Sequence, residues 1–111
     1  MKDDAVYLHH IAECIRRINI IAAEGHNSFS SSSTLQDATL RNLQTMSEAT
    51  QRLSDTIKSE NPNVEWSKIS AFRNVLVHNY LGIDLDLIWK IVENDLMDLK
   101  YTVAELLKST E

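Results

Sequence analysis

Apolar side chains recur every three or four residues along most of this chain, which is the spacing of one face of an α-helix. The pattern predicts four long helices, over residues 3–24, 35–59, Ser67 or Ser70 to Tyr80, and 85–109. Short connections make successive long helices pack antiparallel. We therefore expect a single all-α domain over residues 1–111, a four- to five-helix antiparallel bundle.

Helix-breaking and capping residues mark the expected boundaries. Residues 25–34 are rich in serine and asparagine, which bond locally to the backbone, so we predict a loop from which Phe29 packs back onto the core. Pro62 interrupts the chain before the third helix. Gly82 favours the end of that helix, and Asp84 is a good cap for the last one.

Composition and charge narrow the class of protein. The formal net charge is -5, from 11 basic and 16 acidic residues, which argues against a broad cationic surface for nucleic acid. Any contact with RNA is expected to be local, and a basic partner fits the overall charge better. A single cysteine, the lack of a secretory pattern and the lack of about 18 consecutive apolar residues predict a cytoplasmic protein without a membrane span.

The chemically active side chains cluster in residues 72–80, within an otherwise apolar helix. Arg73 offers a fixed planar cation suited to phosphate oxygens, and His78 titrates near neutral pH. Asn74 and Tyr80 add an amide and a phenol. A cation beside a general acid or base is a minimal set for chemistry on a phosphodiester.

Helical geometry limits how these groups can cooperate. At about 100° per residue, Asn74 and His78 share a face, whereas Arg73 and His78 lie about 140° apart. Two arrangements would bring them to one target. The helix ends near His78 and swings the imidazole round, or two copies face each other across a two-fold axis. We favour a combination of the two.

The segment from Asn61 to Tyr80 resembles the signature of HepT-like toxins, which belong to the HEPN superfamily. The residues that carry the resemblance are Pro62, Trp66, Ile69, Arg73, Asn74, His78 and Tyr80, in the arrangement Pro…Trp-x-x-Ile…Arg-Asn-x-x-x-His-x-Tyr. The likeness extends through Gly82–Trp89 and more loosely to the second helix. There the family carries Gly-Glu-Ala, and this chain has Ser47 in place of the glycine.

This resemblance implies a HEPN-like homodimer that acts as a metal-independent endoribonuclease, the toxin of a type VII toxin–antitoxin system. Arg73 and His78 would be catalytic, Asn74 would orient His78 or a phosphate, and no cofactor or metal would be needed. The implied partners are an RNA substrate and an MntA-type nucleotidyltransferase antitoxin, which would inactivate the toxin by attaching AMP to Tyr80. The alternative is a non-catalytic HEPN module that binds nucleotides or assists a nucleotidyltransferase.

Two further pairs of residues could be metal ligands by spacing, but simpler roles are favoured for both. His10 and Cys14 are one helical turn apart, yet two ligands alone make a poor zinc site. Asp84 and Asp86 stand at a helix start, where acidic residues are expected as caps.

Overall fold

The computed structural model describes the backbone of residues 2–78 and 84–110 and the side chains of residues 3–72 and 84–109. These residues form helices and the turns between them, without a β-strand in the described ranges. The helices are α1 (Lys2–Ala22), α2 (His26–Ser31), α3 (Ser33–Gln51), α4 (Asp55–Glu60), α5 (Trp66–His78), α6 (Leu85–Lys90), a π-helical segment (Ile91–Asp95) and α7 (Leu96–Thr110).

Contacts between distant residues show that neighbouring long helices run antiparallel. The start of α1 meets the end of α3, because the Asp4 carboxylate accepts hydrogen bonds from the backbone N–H and the hydroxyl of Ser54. Just after the end of α1, the ring of His26 lies 5.2 Å from that of Trp89, which stands near the start of the last helical run. The predicted all-α architecture is confirmed in the described residues, with more helical pieces than expected.

The core is a single apolar cluster to which every long helix contributes. Its most deeply buried members include Ile11, Ile18, Leu43, Met46 and Leu99. Within the described residues, the predicted stripes therefore face inward. No helix in the described part of the chain is long and apolar enough to cross a membrane.

Ser47 lies in this core, at the position where the resembled family carries glycine. Its side chain is fully buried, and its hydroxyl donates a hydrogen bond of 2.8 Å to the Leu43 carbonyl of the same helix. A buried hydroxyl satisfied within its own helix costs little. The serine is therefore compatible with close packing at this point.

The prediction of a loop over residues 25–34 is wrong in part, because residues His26–Ser31 form α2. Gly25 separates α1 from α2 with φ at 94°, a backbone conformation that suits glycine. Phe29 is buried as predicted and anchors the short helix to the core. The Gln36 side chain also donates hydrogen bonds to the carbonyls of Phe29 and Ser30, which satisfies the end of α2.

The predicted helix over residues 35–59 is also wrong in part, because it is divided into α3 and α4. The chain turns at Ser54, whose hydroxyl accepts a hydrogen bond from the Ile57 N–H and so caps α4. Leu53, immediately before the turn, is buried. The apolar spacing continues across the break, which explains why the periodicity suggested one helix.

The last predicted helix, over residues 85–109, is confirmed as an unbroken helical run with a π-helical segment inside it. Asp84 caps it as expected, accepting a hydrogen bond of 3.1 Å from the Leu87 N–H. Trp66 and Trp89 are half-buried and pack against the core. Gly82 and its predicted role at the end of α5 lie outside the described residues.

Candidate functional site

Helix α5, which carries the candidate catalytic motif, is held in place by both of its neighbours. Near its start, Lys68 Nζ donates to Asp95 Oδ1 at 3.0 Å, which links α5 to the π-helical segment. This bond raises the pKa of Lys68 above its ordinary value. On the other side, the Gln51 side chain of α3 donates to the Ser70 carbonyl. Phe72 is buried between these contacts, so the helix is fixed in rotation just before Arg73.

The backbone of Arg73, Asn74 and His78 belongs to α5, and His78 is the last residue of that helix. The helix is therefore continuous from Arg73 to His78. The two positions lie about 140° apart around its axis, as the sequence predicted. These three side chains lie outside the described part of the structure, so their predicted roles stay predictions. Tyr80, the predicted site of AMP attachment, lies outside the described residues altogether.

Two contacts between the region of α5 and the last helical run show toward which end of the bundle His78 lies. Asn63, just before α5, donates a hydrogen bond to Thr102 of α7, and Lys68 pairs with Asp95 further along. The two contacts show that α5 and the last helical run are antiparallel. The C-terminal end of α5, where His78 is the last residue, therefore lies toward the end of the bundle where α6 begins.

A groove of about 400 Å³ runs between α5 and α6, beside the residues that precede Arg73. Phe72 and Ile91 form its apolar floor, while Lys68, Lys90 and Asp95 contribute the charged groups of its lining. The π-helical segment contributes to this wall of the groove. π-helical turns occur frequently at functional sites. The groove therefore lies beside the α5 residues that immediately precede the motif.

The same end of the bundle carries a cluster of aromatic and polar side chains from α2 and α6. His26 packs edge-on against Trp89, with 5.2 Å between ring centroids and 72° between planes. Trp89 in turn packs against buried Phe29, again with centroids 5.2 Å apart. Sequence reasoning missed His26 by assigning it to a loop. A histidine and a tryptophan 63 positions apart carry no local signal of their contact.

A second group of charges lies on the exposed side of α1, in the middle of the bundle. Glu13 accepts hydrogen bonds from Arg16 and Arg17, at 2.6 and 3.1 Å for the shortest to each. Hydrogen bonding to Arg16 and then Arg17 lowers the pKa of Glu13 to about 2. All three side chains are well exposed, so Arg16 and Arg17 form part of a solvated face.

A separate groove of about 510 Å³ lies between α1 and α7. Apolar side chains such as Ile15, Val103 and Leu107 line most of it, and its charged lining residues are Arg16 and Lys100. Its described lining contains neither a histidine nor a carboxylate, the usual acid and base groups of phosphodiester chemistry. This groove is suited to apolar contact, and it lies on a different face of the bundle from the groove beside α5.

Neither of the two pairs considered as metal ligands forms a metal site in the described residues. Cys14 is buried and its burial raises the pKa of the thiol, while His10 is exposed. Asp84 caps α6, as expected for an acidic residue at a helix start. Among the described residues, no group of three or more His, Cys, Asp or Glu side chains could hold a metal ion.

Comparison with known proteins finds a family and several relatives that the chain is similar to. Residues 11–106 match the model of a family described as ribonuclease HepT-like. A probable ribonuclease HepT of Thermococcus cleftensis is 31% identical over 103 residues, which cover 92% of this chain and 94% of that protein. A candidate RNase of Methanocaldococcus jannaschii is 30% identical over 103 residues, with the same shares.

One relative differs in length. A protein of Methanocaldococcus jannaschii named as a gamma-glutamylcyclotransferase and candidate RNase is 29% identical over 111 residues. Those residues are 99% of this chain and 50% of that protein, so the chain spans half of that relative. No solved structure matches the chain with statistical significance.

Proposed function

Because this chain belongs to the HepT-like ribonuclease family, we propose that it is a metal-independent endoribonuclease that acts in the cytoplasm. The observation that carries the proposal is the family match over residues 11–106, which includes α5 with Arg73, Asn74 and His78. The relatives named as ribonucleases cover nearly the whole chain, at modest identity.

The proposed reaction uses the nucleophile that RNA carries itself. An imidazole, His78, takes the proton of the 2′-OH while that oxygen attacks the adjacent phosphorus. The bond from phosphorus to the 5′-oxygen breaks, and a protonated imidazole gives that oxygen a proton. The products are a 2′,3′-cyclic phosphate and a 5′-OH. Arg73 stabilises the negative charge that develops on the phosphoryl oxygens, and Asn74 orients His78 or a phosphate.

A dimer completes this mechanism. One helix presents Arg73 and His78 about 140° apart, which is poor geometry for a single phosphate. Two α5 helices facing each other across a two-fold axis would supply two arginines and two histidines to one cleft. The position of His78 at the last residue of α5, at the end of the bundle, favours such pooling because a helix end can approach a second copy. A shared cleft also concentrates positive charge locally in a chain of net charge -5.

The expected test replaces His78 with alanine. Loss of a general acid or base lowers the rate by roughly 10²- to 10⁴-fold, so RNA cleavage and growth inhibition should fall together. His10→Ala is the matched control, because His10 is an exposed histidine on α1. Circular dichroism checks that both variants fold. Unchanged cleavage by folded His78→Ala would remove the histidine from the mechanism.

Regulation by an MntA-type nucleotidyltransferase antitoxin is the second part of the proposal. The antitoxin would attach AMP to the hydroxyl of Tyr80, two positions after His78. A nucleotide phosphate attached there would add bulk and negative charge close in sequence to the motif, and both would oppose binding of an RNA phosphate.

Mass spectrometry tests this modification after incubation with the antitoxin and ATP. We expect an added mass of one or more AMP units on Tyr80, with cleavage lost in parallel. Tyr80→Phe, which lacks the accepting oxygen, should stay unmodified and should no longer be inhibited. An intact protein without an adduct under these conditions would contradict this regulation.

The competing function is a non-catalytic module that binds nucleotides or assists a nucleotidyltransferase. The acidic balance of the chain favours it, since RNA affinity depends mainly on neutralising phosphates. The presence of arginine, asparagine, histidine and tyrosine together in one motif opposes it. Nucleotide binding without RNA cleavage by the folded wild-type protein would support this alternative. A gene for a small nucleotidyltransferase beside this one would support toxin–antitoxin pairing.

A further inference from the structure

His26 stands on a rigid aromatic support. Its ring packs edge-on against Trp89, Trp89 packs against Phe29, and Phe29 is 1% exposed in the core. The imidazole itself is about half exposed, with 48% of the side-chain surface accessible. This arrangement holds one ring at the surface in a defined orientation, whereas an exposed histidine on a helix face usually samples several rotamers.

A carboxylate lies beside this ring. Asp86 Oδ1 is 3.9 Å from His26 Nε2, and the Asp86 side chain is 83% exposed. That separation exceeds a hydrogen bond, so the two groups lie side by side without saturating each other. The cluster therefore offers an aromatic ring for stacking and a carboxylate oxygen for accepting hydrogen bonds, both open to solvent.

The cluster lies at the end of the bundle that the candidate motif reaches. Because α5 and the last helical run are antiparallel, the C-terminal end of α5, with His78, lies toward the end of the bundle where α6 begins and Asp86 stands. A bound RNA strand whose phosphate is held by α5 would carry its neighbouring bases across this end. Single-stranded RNA is recognised mainly by stacking of its bases on aromatic side chains, histidine included, and by hydrogen bonds to base edges.

We propose that His26 and Asp86 form a guanine-selective base subsite, in which the base stacks on the His26 imidazole and donates hydrogen bonds to the Asp86 carboxylate. The inference rests on the proposed ribonuclease function and names the part of the substrate that this end of the bundle recognises. His26 and Asp86 are specificity residues in this scheme, and the chemical step remains with α5.

Guanine is the base whose edge suits a single carboxylate. Its N1–H and N2–H groups lie side by side and point the same way, so both can donate to the two oxygens of one carboxylate. Paired charge-assisted bonds of this kind are stronger and more directional than single ones. Uracil offers one N–H between two carbonyl oxygens, and those oxygens would be repelled by Asp86.

The test follows binding at the cluster through tryptophan fluorescence. Trp66→Phe leaves Trp89 as the only tryptophan of the chain, so quenching reports on a base at His26. The probes are single-stranded pentanucleotides with one central guanosine, adenosine or uridine between uridines. All their residues are 2′-O-methylated, so they lack the nucleophile and cannot be cleaved. We expect saturable quenching by the guanosine probe, with roughly tenfold tighter binding than for the uridine probe.

Two variants in this background separate stacking from hydrogen bonding. His26→Ala should weaken binding of the guanosine and adenosine probes roughly tenfold, because stacking is lost. Asp86→Ala should keep the stacking but bring the guanosine probe to the affinity of the adenosine probe. His10→Ala and Asp37→Ala are the matched controls, each an exposed residue of the same type on another helix, and should leave all affinities unchanged.

The outcomes distinguish this inference from the proposed function. Equal binding of the three probes, or affinities unaffected by His26→Ala and Asp86→Ala, would overturn the base subsite even if the protein cleaves RNA. Guanosine-selective quenching lost in these two variants would support the subsite. Such selectivity in a wild-type protein that cleaves no RNA would support the base subsite and contradict the proposed ribonuclease function.

Discussion

The two ends of the bundle each carry an aspartate next to a polar partner, but the two pairs differ in burial and geometry. At the end where α1 begins, Asp4 is 5% exposed and accepts bonds of 2.9 and 2.7 Å from Ser54. At the opposite end, Asp86 is 83% exposed and lies 3.9 Å from His26. A buried carboxylate must be hydrogen-bonded to offset its desolvation, whereas an exposed one remains hydrated and free to change partners.

The comparison teaches how a small helical domain can separate stability from recognition. Ser54, which Asp4 holds, also caps α4 through its hydroxyl, so one buried carboxylate fixes the start of α1 and the turn between α3 and α4. The opposite end holds its aromatic rings on the core through Phe29 and leaves polar groups at the surface. Substitutions should therefore affect folding at the first end and ligand binding at the second.

The largest effect on stability is expected from Asp4→Ala. This change leaves the Ser54 N–H and hydroxyl without their acceptor in a partly buried turn, and we expect a loss of about 2 kcal/mol in the free energy of unfolding. Urea denaturation measures it. Asp3→Ala is the matched control, since Asp3 is an exposed aspartate in the same helical turn and shares any favourable interaction with the helix dipole. Equal losses in the two variants would show that Asp4 acts only through the dipole.

A much smaller effect on stability is expected from Asp86→Ala. An exposed charge at 3.9 Å from a half-exposed histidine contributes little, so the free energy of unfolding should change by less than about 0.5 kcal/mol. The same denaturation experiment measures it, and a loss as large as that of Asp4→Ala would erase the proposed difference between the two ends.

The smallest effect on stability is expected from Glu13→Gln, on the exposed side of α1 between the two ends. Hydrogen bonds from Arg16 and Arg17 lower the pKa of Glu13 from 4.5 to about 2, so the folded chain holds the charged form more strongly than the unfolded chain does. The stabilisation is therefore complete above about pH 4.5 and is lost as pH falls toward 2. Thermal melts across this range should show a slightly steeper acid loss for the wild type than for Glu13→Gln. Parallel curves would show that the pairs are too exposed to matter.

Local sequence patterns were enough to predict the helical class, the inward faces of the long helices in the described residues, the burial of Phe29 and the Asp84 cap. Each of these depends on residues within one or two turns of each other, where helical period and local hydrogen bonding decide the outcome. The grouping of Arg73, Asn74 and His78 on one helix was readable for the same reason. Whether their side chains meet across a dimer stays a prediction.

Other features depend on residues far apart in the chain, and they arise from tertiary packing. The apolar period runs through Ser54 without interruption, yet the helix breaks there because a carboxylate 50 positions earlier binds the turn. Poor helix formers make α2 because Phe29 reaches the core and Gln36 satisfies its last carbonyls. His26 and Asp86 become neighbours only when α2 packs on α6. That packing runs from His26 through Trp89 to buried Phe29, and no local pattern encodes it.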